Sequence, residues 1–120
     1  MRTRTSHNPF MIRVVTDGAV TTVAPTRKRL MISDMESVYS TVSRQMDLGR
    51  TQIILDFSEV EWVCAGTAAV LLELNRRLHA LGGTLKLQGV CDEMHQVLQM
   101  MHVEDRFEIL DAPAVLRNAG

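Results

Sequence analysis

The sequence predicts an α/β fold: a mixed, mostly parallel sheet that opens with an N-terminal β-hairpin and has helices packed against it. Three observations point there. Two β-rich runs flank Asp17-Gly18, helix-like and strand-like patterns then alternate to the end, and residues 51–57 are nearly continuously apolar. Strands that alternate with helices are joined by parallel crossovers, and an interior strand covered on both faces reads without alternation.

Each element has a local reason. Residues 1–9 read as a flexible tail and residues 10–120 as one domain. Met11-Ile12-Arg13-Val14-Val15 is a strand. Asp17-Gly18 is the expected two-residue turn, because both central positions of such a turn favour residues that accept positive φ. The β-branched Val20-Thr21-Thr22-Val23 returns antiparallel, and Pro25 ends it. After the basic triplet Arg27-Lys28-Arg29, Leu30-Met31-Ile32 is a short strand or an extended loop. Ser33 and Glu36 have the spacing of a capping box. The helix behind it carries Met35, Val38, Tyr39, Val42 and Met46 on one face and stops at Gly49.

A second helix is predicted over 66–81, with Ala68, Leu71, Leu72, Leu78 and Leu81 inward and Glu73, Arg76, Arg77 and His79 in water. Gly82-Gly83 stops it. Leu85 and Leu87 alternate with Lys86 and Gln88, as in a half-covered strand. Asp92 is placed to cap a third helix whose inner stripe is Met94, Val97, Leu98 and Met101, with Met100 off the stripe. Phe107-Glu108-Ile109-Leu110 is a last strand, and Asp111 and Pro113 open a terminal helix.

Composition excludes several classes. The formal charge is −1, from 13 basic and 14 acidic side chains. That balance leaves no footprint for nucleic acid or an anionic membrane. No segment approaches the ~20 apolar residues of a membrane helix, and no apolar run follows the basic start, so no secretory leader is expected. Two cysteines do not make a disulfide scaffold, so a reducing, cytoplasmic setting is expected. No glycine-rich phosphate loop, triad, paired carboxylates or ligand cluster is visible. Neither a catalytic residue, a cofactor nor a metal is therefore expected, and a binding module fits best.

Ile53-Ile54-Leu55-Asp56-Phe57, Val60, the loop Trp62-Val63-Cys64-Ala65-Gly66-Thr67, Leu71-Leu72, Gly82-Gly83 and Leu85-Lys86-Leu87 together resemble a STAS domain. That is the domain of sulfate transporters and anti-sigma factor antagonists. The likeness covers residues 10 to 116 and rests on the joint spacing of Asp56, Gly66, Gly82-Gly83 and Phe107. It implies a module that binds an anti-sigma factor, often a serine kinase, and so frees a sigma factor for transcription. In the family the loop reads Asp-Ser-Ser-Gly or Asp-Ser-Thr-Gly, and its second hydroxyl residue is phosphorylated. Aligned on Gly66, Val63 replaces the aspartate, Cys64 the first hydroxyl residue and Ala65 the phosphoacceptor. The resemblance thus implies a contact loop of Val63, Cys64, Ala65, Gly66 and Thr67, flanked by Ile32, Ser33 and Asp34, without the usual switch. A homodimer, a scaffold and a small-ligand sensory module remain open as related roles.

Other residues invite chemistry. Cys64 at a helix start has the setting of a lowered thiol pKa, which would suit a redox protein or a cysteine enzyme. Such a thiol needs a base. His7 falls in the tail, His79 lies a helix away, and His95 and His102 show no matching spacing; an inert thiol is the plainer role. Cys91, His95 and His102 lack zinc-type spacing. Cys64 and Cys91 both follow parallel strands and should share one sheet edge, close together if those strands are neighbours. Thr67 is the loop's remaining hydroxyl and a candidate cap. Whether Thr67 or Ser33 takes over as phosphoacceptor stays open.

Overall fold

The computed structural model describes residues 12–110 in full and residues 4–8 by their backbone. In chain order the elements are β1 (Arg4–Asn8), β2 (Ile12–Asp17), β3 (Val20–Pro25), β4 (Arg29–Leu30), α1 (Ile32–Asp47), β5 (Gln52–Asp56), β6 (Trp62–Val63), α2 (Thr67–Ala80), β7 (Thr84–Gln88), α3 (Asp92–Met100) and β8 (Glu108–Leu110). A 3-10 turn at Glu104–Arg106 leads into β8. The main sheet runs β1-β2-β3-β5-β7-β8, and β4 pairs with β6 apart from it. β1, β2 and β3 are antiparallel neighbours; β3, β5, β7 and β8 are parallel. This is the predicted mixed sheet with its opening hairpin. The terminal helix expected from Asp111 and Pro113 lies outside the described residues.

Two expectations at the N-terminus are corrected. Residues 4–8 were assigned to a flexible tail but pair antiparallel with β2, from Arg4 opposite Thr16 to Asn8 opposite Ile12. Arg-Thr-Ser-His-Asn has no apolar alternation, so only the unpaired backbone edge of β2 specifies this strand. The hairpin turn is Gly18-Ala19, one residue later than Asp17-Gly18, because Asp17 pairs with Val20. Only Gly18 has positive φ, at 64°. That is the pattern of a type II′ turn, which needs glycine at its first central position.

Parallel crossovers are right-handed, and here they step one way along the sheet, from β3 to β5 to β7 to β8. The helices therefore cover one face. Ile53, Leu55, Leu85 and Leu87 point into them and are buried, whereas Ile54 and Lys86 are half-exposed. Residues 51–57 were expected to be covered on both faces; the apolar run reflects β-propensity as much as burial.

The helices pack largely as their periodicity requires. Met35, Val38, Val42 and Met46 of α1 are buried, with Tyr39 packed beside them. In α2 the buried stripe is Ala68, Leu71, Leu74 and Leu78. Leu74 was not assigned inward, and Leu81, assigned inward, is 57% exposed. Leu81 continues the stripe by angle but lies after the last helical residue, where the chain has begun to turn away. Met101 is exposed for the same reason at the end of α3, and Met100 is exposed as expected. Arg77 is half-buried rather than wet: it donates to Tyr39 Oη at 3.0 Å and Ser43 Oγ at 2.7 Å, tying α2 to α1.

All three helices end in the same six-to-one and five-to-two hydrogen-bond pattern, with a left-handed residue after the cap. Gly49 (φ 80°) closes α1, Gly82 (φ 76°) closes α2 and His102 (φ 57°) closes α3. The paired bonds are Arg50 N to Gln45 O with Gly49 N to Met46 O, Gly83 N to Leu78 O with Gly82 N to His79 O, and Val103 N to Leu98 O with His102 N to Gln99 O. Gly83 has a second reason to be glycine: a Cβ there would run into the Thr51 carbonyl at the start of β5.

Helix starts differ from expectation. α1 begins after Met31, not after Ser33, and Asp34 Oδ2 accepts the Met31 N–H at 2.8 Å. Asp34 thus takes the part assigned to Glu36, because Leu30 is already fixed in β4 and the chain turns at once. α3 is capped by Cys91, with Asp92 as its first residue. Asp92 and Glu93 still suit that position, where the positive end of the helix dipole favours carboxylates.

Candidate functional site

The β4–β6 pair builds the site. Arg29 lies opposite Trp62, and Leu30 opposite Val63; Leu30 and Val63 are buried anchors. The ladder runs on at both ends. The Lys28 carbonyl accepts the Glu61 and Trp62 N–H groups at 2.7 and 3.1 Å, and Cys64 N donates to Leu30 O at 3.0 Å. The Arg29 guanidinium lies 4.6 Å from the centre of the Trp62 ring. Such a cation–π contact at an exposed position contributes about 0.5–1 kcal/mol. Because β4 runs straight into α1 and β6 almost straight into α2, this short ladder starts the two helices side by side.

The predicted loop and its flank are therefore brought together. Ala65 is exposed, Cys64 and Gly66 are half-buried, and Val63 and Thr67 are buried. Met31 and Ile32, at the start of α1, are 50% and 52% exposed. Ser33 is exposed, and Asp34 holds both the Met31 N–H and, at 3.4 Å, the Arg27 guanidinium. The sequence reading missed Met31 as part of this region and the stacking of Arg29 on Trp62. The apolar run Leu30-Met31-Ile32 after a basic triplet was the available signal, but it does not say which of its three residues turns inward.

Gly66 has an unexpected role. Its φ is −63°, an ordinary helical value, so the turn itself does not demand glycine. A Cβ at this position would lie 2.8 Å from Ile32 Cδ1. The close approach is to the tip of a half-exposed side chain at the start of α1. Thr67 is not the cap of α2; Gly66 is, with no side-chain bond. Thr67 is fully buried, its N–H donates to Cys64 O at 3.1 Å, and its Oγ1 lies 3.8 Å from Cys64 Sγ.

Of the remaining sequence candidates, Cys64 and Cys91 are free and half-buried, Cys64 directly after β6 and Cys91 at the start of α3. His95 Nδ1 is 3.1 Å from Glu104 Oε2, and His79 and His102 are exposed. His7 is described by backbone alone. Asp56 closes the turn after β5, accepting the Ser58 N–H at 3.0 Å and the Ser58 hydroxyl at 2.5 Å. On the outer face of α2, Arg76 hydrogen-bonds Glu73, which lowers the Glu73 pKa and raises that of Arg76. Arg76 is exposed and Glu73 partly so, and the pair adds little to stability.

A family model described as the MlaB STAS domain matches residues 27–111. The chain belongs to the STAS domain family. A search among curated proteins finds no match. Among solved structures, the STAS chain is similar to a Thermotoga maritima protein assigned as an anti-sigma factor antagonist, with TM-score 0.76 and 18% identity over 91% of this chain and 92% of that one. An anti-sigma factor antagonist from Mycobacterium paratuberculosis superposes with TM-score 0.75 at 10% identity, covering 95% and 97%. The phosphorylated form of the Bacillus cell-fate determinant SpoIIAA gives TM-score 0.64 at 16% identity, covering 98% and 97%. At these identities the likeness concerns the fold. Among the described residues, no helix of the STAS chain is long and apolar enough to cross a membrane.

Proposed function

We propose that this STAS domain is a protein-binding module of the anti-sigma factor antagonist kind. Its contact is the exposed part of residues 63–67 with Ile32, Ser33 and Asp34 beside it, and its partner is an anti-sigma factor or a related serine kinase. Binding would then free a sigma factor for transcription. The observation that carries the reading is the exposed apolar pair Met31 and Ile32 set against the exposed Ala65. Large apolar side chains left in water beside a rigid ladder are what partner contacts are made from. The fold shared with anti-sigma factor antagonists supports the choice of partner class.

The module works without phosphorylation at position 65, because alanine has no oxygen to accept phosphate. Thr67 does not replace it: its side chain is fully buried, so a kinase would have to open the first turn of α2 to reach it. Ser33 is the exposed hydroxyl of the region. Cys64 supports no enzymatic reading, since the Thr67 hydroxyl beside its Sγ is too weak a base to activate a thiol.

The test is a pulldown from native lysate with wild type and Ala65→Glu as parallel baits, followed by phosphosite mass spectrometry of each bait. Wild type is expected to retain an anti-sigma factor of the serine-kinase type. Ala65→Glu should lose most of it, because a carboxylate would be desolvated in the contact. The bait should carry no phosphate at Thr67. Identical partner sets for the two baits would sink the reading.

A further inference from the structure

The basic triplet Arg27-Lys28-Arg29 is the feature of this region that the proposed contact leaves unused. Its backbone is pinned by the Lys28 carbonyl and by the β4–β6 ladder, while all three side chains are exposed. Arg27 is engaged with Asp34 at 3.4 Å. Among the described residues, neither Lys28 nor Arg29 forms an ion pair. The nearby carboxylates are Asp34, already held by Arg27 and the Met31 N–H, and the exposed Glu61.

The start of α2 adds to the same field. Its first turn contains no acidic residue, whereas α1 has Asp34 and α3 has Asp92 and Glu93. A helix start carries about half a positive charge from the aligned peptide dipoles, and here the Thr67 and Ala68 N–H groups are bonded to the Cys64 and Ala65 carbonyls. Ala65 lies at that start. The exposed apolar pair Met31 and Ile32 thus follows two cations that have no carboxylate partner among the described residues, one of them stacked on Trp62, and adjoins a helix start that carries no carboxylate.

We infer that the partner surface complementary to this site is an apolar pocket rimmed by carboxylates. The pocket takes Met31 and Ile32, and the rim meets Lys28 and Arg29. The inference rests on the reading of residues 63–67 as the partner contact. Charge complementarity at a rim acts chiefly on the rate of encounter and on the rejection of wrong partners. A negative charge at position 65 would cancel the field of the α2 start and repel the partner's rim. Nucleic acid also attracts cations, but the apolar pair and a net charge of −1 favour a protein.

The chain contains two lysines, Lys28 and Lys86, so amine chemistry reports on this site cleanly. Lys86 lies on the sheet, 3.6 Å from Glu108, and is an internal control. The full chain is used to capture partners from nuclease-treated native lysate, the complexes are treated with a zero-length carbodiimide, and the cross-linked peptides are sequenced. Ala65→Glu, its uncharged isostere Ala65→Gln, and the double change Lys28→Glu with Arg29→Glu run in parallel, each checked for folding by circular dichroism.

Lys28 is expected to cross-link to partner Asp or Glu residues, and Lys86 is not. The charge reversal should slow association by about tenfold at low salt, an effect that fades as salt rises. Ala65→Glu should bind more weakly than Ala65→Gln. Cross-links at Lys86 alone, a charge reversal without effect, or equal weakening by Glu and Gln would overturn the acidic rim and leave the contact itself standing. A wild-type complex that survives only without nuclease would point to nucleic acid and also overturn it. If nothing is retained, or wild type and Ala65→Glu retain the same partners, the contact reading has failed, which is a separate result.

Discussion

Gly82 and His102 hold the same left-handed position at the ends of α2 and α3, with φ of 76° and 57°. Only one of them is a residue without a Cβ. An L-residue in this conformation costs roughly 1–2 kcal/mol, less for polar types that bond locally. Gly82→Ala is therefore expected to destabilise the domain by about 1 kcal/mol. His102→Gly should stabilise it by a few tenths to about 1 kcal/mol, partly offset by the freer unfolded chain. Thermal melts of the two variants should shift in opposite directions, and shifts of the same sign would mean that the α3 end is not built this way. At Gly66 the glycine is legible in the sequence, but its nearest tertiary neighbour, Ile32 Cδ1, is not, because that atom is far away along the chain.

At the scale of elements, α2 separates burial from periodicity. Leu74 is fully buried and Leu81 is 57% exposed, although both lie on the apolar stripe. Leu74→Ala should cost about 2–5 kcal/mol, the range for a large core side chain that leaves a cavity. Leu81→Ala should cost within about 0.5 kcal/mol, as for an exposed position. Urea titrations monitored by circular dichroism distinguish the two, and comparable midpoints would contradict the inward placement of Leu74. Helix existence and inner faces were readable because a 3.6-residue period survives in one dimension. Helix starts were less so: Ser33 with Glu36 has the spacing of a capping box, but the helix starts after Met31, with Asp34 bonding back to it, because the strand pair β4–β6 holds Leu30 in place.

At the scale of the molecule, β5 and β7 lie inside the sheet and β1 and β8 at its edges. Protection from hydrogen exchange should follow that order, with the amides of Ile53, Leu55, Leu85 and Leu87 exchanging near the global unfolding limit and those of β1 much faster. Equal protection of β1 would mean that residues 4–8 are tied down by more than their backbone pairing with β2. The whole-sheet topology also settles why Ile54 is half-exposed in a run that reads as fully interior. Crossovers that all step the same way put every helix on one face. The other face keeps β-branched residues for their propensity, without a covering helix among the described residues.

The sequence by itself determined the class of the fold, the order of the strands and helices from β2 to β8 apart from the short strands β4 and β6, the glycine stops of α1 and α2, and the absence of a phosphorylatable group at Ala65. Each is local: a period, a turn residue or a missing atom can be read without knowing what lies across the molecule. The tertiary structure decided the rest. It paired β4 with β6, set Met31 and Ile32 beside Ala65, buried Thr67, stacked Arg29 on Trp62 and left Lys28 and Arg29 without a carboxylate partner among the described residues. The ladder joins segments some thirty residues apart through main-chain N–H and C=O groups that nearly every residue carries, whatever its side chain. Backbone pairing of that kind leaves no mark in side-chain chemistry, so the site could be named residue by residue, but its shape could not.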